Sequence, residues 1–234
     1  DMFLDDSDAV VNGMSLYSRA SSGVPGTVDG LIKVLEDHGS GVISLRQALS
    51  PAIKLAEKGF LISYYEANRL NAYKRFFEEN SAAAKIFIQD NQKAWKQNDR
   101  LIQKDLAKTL KRISKYGRDG FYSGPVADLI VKEMKKGNGL ISIDDLTNYS
   151  SKYREPIIGS YKDHKIISMG PPSSGGALLV NMLNMLEYFS SDSLEWNSSD
   201  YAHVMTEIQR RAYSDRAEHM GDPDYWKVPL DMFK

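Results

Sequence analysis

The chain contains no cysteine. Disulfides, thiolate metal sites and a cysteine nucleophile are therefore excluded. The absence fits a cytosolic protein and equally a bacterial secreted protein that needs no disulfide. No apolar run approaches the roughly 20 residues that span a bilayer as a helix. Neither sign of charge dominates: 30 lysines and arginines stand against 31 aspartates and glutamates, a net charge of −1. The electrostatic footprint of a nucleic-acid or acidic-membrane binder is missing. The N-terminus, DMFLDDSDAV, has no basic stretch followed by an apolar one and is not a signal peptide. It does not begin with methionine, and the chain is expected to be cut from something longer. Catalytic fingerprints are also scarce. There is no G-x-S-x-G elbow, no G-x-G-x-x-G, no lysine after a glycine loop in the Walker manner, and no H-E-x-x-H.

What is present is an ordinary globular balance. Apolar residues make up 42% and charged residues 26% of 234 positions, enough for a sizeable core in one large domain or two small ones. We expect one incomplete domain over 1–234, helix-rich over 27–150 and strand–turn–helix over 151–234. The turn SSGVPGT leads to a helix from Thr27, with Thr27 as cap and Gly30 at N3. Ser44 starts the next helix. Ser50 and Pro51 open another, stopped by Gly59. Tyr65, Leu70 and Phe76 share a stripe over 64–77. SAAAKIFI is ambiguous. Leu101, Leu106, Leu110 and Ile113 form a helical stripe ending near Gly117. Gly124 and Pro125 open a helix over 126–134, and Ser142 with Asp145 forms a capping box. The dense basic stretch Lys104, Lys108, Lys111, Arg112 and Lys115 falls at helical spacing and reads as a solvated face.

The pattern changes at Pro156. PIIGSYKDHKIISMG carries β-branched pairs around Lys162-Asp163 and predicts a hairpin of 157–161 with 165–169. Leu179, Met182, Leu183 and Leu186 then mark an amphipathic helix. A polar loop over 190–199 follows, and Asn197 or Ser198 caps a last long helix.

The connection MGPPSSGG, 169–176, supports two readings. A strand, a Pro/Gly turn and a helix N-terminus leave backbone N–H groups free, so an anionic group could dock beside Ser173 and Ser174. Alternatively, the prolines and glycines only turn the chain between sheet and helix. His203 and Glu207 stand four apart on one helix, either as metal ligands lacking a third partner or as a surface pair. Asp222 and Asp224 flank Pro223, either as a general acid/base pair or as turn residues bonding their own backbone. RRAYSDR reads as an ion-paired helix face. No complete catalytic set is visible, and no metal or cofactor is expected.

Six segments in order carry a family resemblance: GVPGTVDGL (23–31), SPAIKLAEKGF (50–60), QKDLAKTLKRISKYGRDGFYSG (103–124), DDLTNY (144–149), REPIIGSYKDHKIISMGPPSSGG (154–176) and RRAYSDRAEHMGDPDYWKVP (210–229). Together they resemble the large chain of bacterial γ-glutamyltranspeptidases (glutathione hydrolases). The resemblance implies an α+β fold, the helix-rich large-chain portion of an N-terminal-nucleophile αββα sandwich. It implies a periplasmic or secreted precursor that cuts itself into a large and a small chain. The new N-terminal threonine of the small chain attacks the γ-glutamyl amide, and its own amine, with a pKa of about 8, acts as base. Glutathione and other γ-glutamyl compounds would be donors, with amino acids or dipeptides as acceptors. The nucleophile, the oxyanion-hole glycines and the carboxylate-binding arginine of the family lie outside this sequence. No residue here is therefore expected to be catalytic, and Ser173 and Ser174 become supports near the site. A scaffold homologue without catalysis, or a relative acting on poly-γ-glutamate or acylated β-lactams, would share this framework.

Overall fold

The structure is a computed structural model, described over residues 2–189 and 194–233; part of the loop expected at 190–199 lies outside the described residues. The chain divides into two units, 1–151 and 152–234.

The first unit is helical. After a single turn, α1 (Met14–Tyr17), it holds α2 (Thr27–His38), α3 (Leu45–Lys58), α4 (Tyr64–Ala72), α5 (Lys74–Glu78), α6 (Ser81–Phe87), α7 (Lys104–Tyr116), α8 (Asp119–Tyr122), α9 (Pro125–Lys135) and α10 (Ile143–Asn148). Three of these starts are written in the sequence. Ser44 with Gln47, Ser63 with Glu66 and Ser142 with Asp145 each form a reciprocal capping box. Two short strands, β1 (Phe60–Leu61) and β2 (Arg100–Leu101), pair antiparallel.

Several expectations are corrected. Thr27 is the first helical residue, and Gly26 stands before it with no side-chain cap. Ser50 and Pro51 open nothing: α3 runs continuously through Pro51. Proline costs a helix one N–H bond, and packing of α3 on α7 holds the segments on both sides in line. The stripe over 64–77 is broken at Tyr73 between α4 and α5. Leu101 belongs to β2, so α7 begins at Lys104. The ambiguous SAAAKIFI is helical over 81–87, capped by the Asn80 side chain.

Two clusters form the core of this unit. In one, Ile62, Ala67, Trp95 and Leu101 are buried together. Asn71 clamps Trp95 by accepting from its amide at 2.8 Å and donating to its carbonyl at 2.9 Å. In the other, Tyr122, Ala127, Ile141 and Leu146 pack together. Beside it lies a buried polar knot on Asp29, which is 8% exposed. Its carboxylate accepts from Arg118 Nε (2.8 Å), the Ser151 amide (2.7 Å) and the Ser151 hydroxyl (2.6 Å). Burial pushes the Asp29 pKa up, but the Ser151 bonds and then Arg118 outweigh it and hold the carboxyl below its ordinary value. The Asp29 amide donates to the Tyr122 hydroxyl, which donates to the Pro25 carbonyl. GVPGTVDG is thus a loop and helix start locked from below.

The second unit is α+β. β3 (Ile157–Tyr161) and β4 (His164–Ser168) form an antiparallel hairpin with Tyr161 opposite His164. The second strand begins and ends one residue earlier than expected. Lys162 takes a positive φ of 51° in the two-residue turn. α11 (Gly175–Leu186) packs on one face of the hairpin, and α12 (Ser199–His219) packs on α11. Ser198 caps α12, its hydroxyl accepting from the Tyr201 amide at 3.1 Å. Gly159 is required where hairpin meets helix, because a Cβ there would lie 2.6 Å from Val180 Cγ1. Ile157, Ala177, Leu178, Val180, Ala212 and Phe233 make the core. On the opposite face of the hairpin, the facing pair Ile158 and Ile167 is exposed. Among the described residues, no helix is long and apolar enough to cross a membrane.

Candidate functional site

The connection from β4 to α11 is set by its own residues. Pro171 and Pro172 lack backbone donors and have fixed φ, so the strand ends before them; the bond between them is cis. Ser174 occupies the N-cap position of α11 but does not cap it. Its backbone is already helical (φ −79°, ψ −17°), whereas a capping serine needs an extended backbone to aim its oxygen at the first turn. The Ser174 hydroxyl instead accepts a 2.9 Å hydrogen bond from Arg216 Nε on α12. Ser173 Oγ accepts from the Gly175 amide at 3.4 Å, a long bond. Neither hydroxyl donates to a histidine or carboxylate among the described residues.

The two glycines differ. Gly175 is exposed, and a Cβ there would meet only Ser173 Oγ, at 3.6 Å. Gly176 is buried, and a Cβ there would run into the Met169 carbonyl oxygen and lie 3.0 Å from the Ser168 side chain. The close approach that Gly176 permits is between the helix start and the end of its own strand.

A shallow cavity of about 400 Å3 adjoins Pro171, lined also by Tyr153, Arg154, Glu155, Trp226 and Leu230. Beside it, Asp224 accepts from Lys152 Nζ (2.7 Å) and Arg154 (3.0 Å). The Arg154 bond first, and then that of Lys152, lowers its pKa to about 2. Asp222 Oδ1 accepts from the Asp224 amide at 2.9 Å. The pair is therefore a turn anchored by two cations, and the acid/base alternative falls: a carboxylate so held does not exchange protons near neutral pH. A pH prediction follows. The folded pKa lies below the unfolded one, so the contribution of Asp224 to stability is present above about pH 4 and is lost as pH falls toward 2. Asp224→Asn should unfold at lower temperature than the parent at pH 7, with the gap closing in melts taken toward pH 2. An unchanged gap would place the effect outside titration.

His203 is exposed and Glu207 half-buried on α12, and no hydrogen bond or ion pair joins them among the described residues. Glu207 is bound by Arg211 (2.6 Å) and Arg210 (3.2 Å), and no group of three metal-ligating side chains exists among the described residues. Of RRAYSDR, Arg210 and Arg211 are ion-paired as expected, while Arg216 holds Ser174. A signal for that contact was present: Arg216 continues the i, i+4 row of the buried Ile208 and Ala212, the side of α12 turned inward.

This order of helices, hairpin, Pro-Pro turn and helix has known counterparts. The γ-glutamyltranspeptidase family matches residues 1–233. The chain belongs to this family. It is 40% identical over 229 residues to the glutathione hydrolase proenzyme of Escherichia coli (strain K12), covering 98% of this chain and 39% of that protein. It superposes on the crystal structure of the Helicobacter pylori γ-glutamyltranspeptidase with a TM-score of 0.94 and 43% identity, over 99% of this chain and 66% of that one. The acylase ACY 1 proenzyme of Pseudomonas sp. (strain SE83) is 36% identical over 88% of this chain and 37% of its own length. The chain thus spans about two-fifths of the curated relatives it matches. Its α+β, helix-rich fold is that of the corresponding part of γ-glutamyltranspeptidases.

Proposed function

We propose that this chain is the large-chain part of a γ-glutamyltransferase and glutathione hydrolase, made as a self-cleaving precursor and acting in the periplasm or outside the cell. The observation that carries the reading is the match over almost the whole chain to a glutathione hydrolase proenzyme and to a solved γ-glutamyltranspeptidase. The nucleophile is the N-terminal threonine of a small chain from the same precursor. The donors are glutathione and other γ-glutamyl compounds, and the acceptors are water, amino acids or dipeptides. Ser173 and Ser174 support the site without reacting: one sits in the turn and the other is engaged by Arg216. No cofactor is called for, since an amine of pKa about 8 supplies the base.

Full-length protein should turn over γ-glutamyl-p-nitroanilide, and glycylglycine should raise the rate if transfer competes with hydrolysis. The large chain alone should be inactive. A full-length product that neither cleaves itself nor exceeds the buffer rate would leave a non-catalytic scaffold as the reading. The identity to an acylase proenzyme favours one second reading, a relative acting on acylated β-lactams. Turnover of an acylated β-lactam with none of the γ-glutamyl anilide would decide for it.

A further inference from the structure

α3 and α7 pack along each other, and residues of both line an open cleft of about 780 Å3. The cleft lies wholly within the first unit. It is lined by Arg46, Ser50, Lys54 and Glu57 of α3, and by Lys111 and Lys115 of α7, with Ile53 and Ser114 between them. In the sequence the α7 lysines read as a solvated face. The fold sets a second basic row against them.

The charges do not cancel. Among the described residues Glu57 is the one carboxylate in the lining, and it is taken by Lys111 at 2.5 Å. That bond from Lys111 first holds its carboxyl below the ordinary value, so the two form a neutral pair. Arg46 and Lys54 have no hydrogen bond or ion pair among the described residues. Lys115 has only the neighbouring Tyr116, its Nζ 4.8 Å from the ring centroid. Three uncompensated cations therefore share one concavity and add to a local positive field.

Spacing selects the ligand. Arg46, Ser50 and Lys54 stand at i, i+4 and i+8, a row about 12 Å long on α3. That exceeds a single phosphate and suits a chain of them. Arginine offers a fork to phosphate oxygens, lysines offer point charges, and the two serines can donate hydroxyl protons between them. Among the described residues no aromatic ring lines the cleft, so the lining offers no stacking platform for a nucleobase.

We propose that this cleft is a binding site for condensed phosphate, held by Arg46, Lys54 and Lys115. The proposal does not rest on the γ-glutamyl reading. The ligand could be free polyphosphate or the tail of a nucleoside triphosphate; the lining favours the free chain.

The test is calorimetric titration of full-length protein with sodium tripolyphosphate, orthophosphate and ATP in about 100 mM salt, where long-range attraction is screened within roughly 10 Å. Tripolyphosphate should bind at least about tenfold more tightly than orthophosphate, and ATP no more tightly than tripolyphosphate. Combined Arg46→Gln, Lys54→Gln and Lys115→Gln should weaken tripolyphosphate about tenfold or more. A charge-matched control, Lys132→Gln, Lys135→Gln and Lys165→Gln, should leave it within about twofold. An equal loss in both variants would reduce the effect to net charge and overturn the site. So would no binding to the parent protein at about 1 mM tripolyphosphate.

Discussion

Asp29→Ala is expected to cost the first unit about 3 kcal/mol. The carboxylate is buried and accepts three hydrogen bonds, two from Ser151 and one from Arg118. Alanine removes the acceptor and leaves the donors behind, the costly direction of the asymmetry between making and losing a buried bond. Arg118 retains its bonds to the Thr147 and Tyr149 carbonyls and its place over the Tyr122 ring. Its side chain is also 31% exposed, so water relieves part of the loss and keeps the figure at the lower end for a broken buried pair. Asp29→Asn keeps the shape and one acceptor, and should cost less. Hydrogen exchange across 24–38 and 118–151 reads the effect locally, with protection in Asp29→Ala expected to fall about 100-fold. Unchanged protection would show that the knot follows the fold without holding it.

Gly176→Val should damage the second unit by a comparable amount, about 3 kcal/mol, while Gly175→Ala should change stability by no more than about 0.5 kcal/mol. The two positions are adjacent and chemically identical, so composition cannot separate them. Geometry does. A Cβ at 176 has the Met169 carbonyl and the Ser168 side chain in its way, and a backbone oxygen at the end of a strand cannot rotate aside. Valine adds two further methyl groups to the same space. A Cβ at 175 enters open ground with one hydroxyl in ordinary contact. The damage should appear as lost protection across 157–186, before any question of catalysis. Equal tolerance of both substitutions would mean that the turn relaxes freely and that Gly176 is not a packing requirement.

Much of this architecture could be read from the chain because the signals were local. The Ser142 capping box, the Gly59 and Gly117 stops, the hairpin about Lys162-Asp163 and the apolar stripe of α11 each depend on residues within one turn or one strand pair. The errors arise where distant partners decide. Pro51 reads as a boundary until α7 is known to lie along α3. Leu101 fits the helical stripe of 106, 110 and 113, yet it pairs with Phe60 across a two-residue strand. The two serines of the 169–176 turn divide in the same way: the Ser173 hydroxyl accepts from the Gly175 amide at the helix start, two residues away, but Arg216, 42 residues beyond Ser174, takes the Ser174 oxygen. The Asp29 knot was not legible at all, since an aspartate near a helix start is ordinary and its partners lie 89 and 122 residues away.

That separation has a bearing on the order in which the chain can be finished. Ser151 is the last residue of the first unit, and it supplies two of the three bonds that close around Asp29. At roughly 5–20 residues per second, the 122 positions between them take about 6–25 s to synthesise. During that interval Asp29 lacks both of its Ser151 bonds. The last bonds of the unit therefore depend on the segment that immediately precedes the second unit, so the first unit cannot be completed before the residues that lead into the next are present.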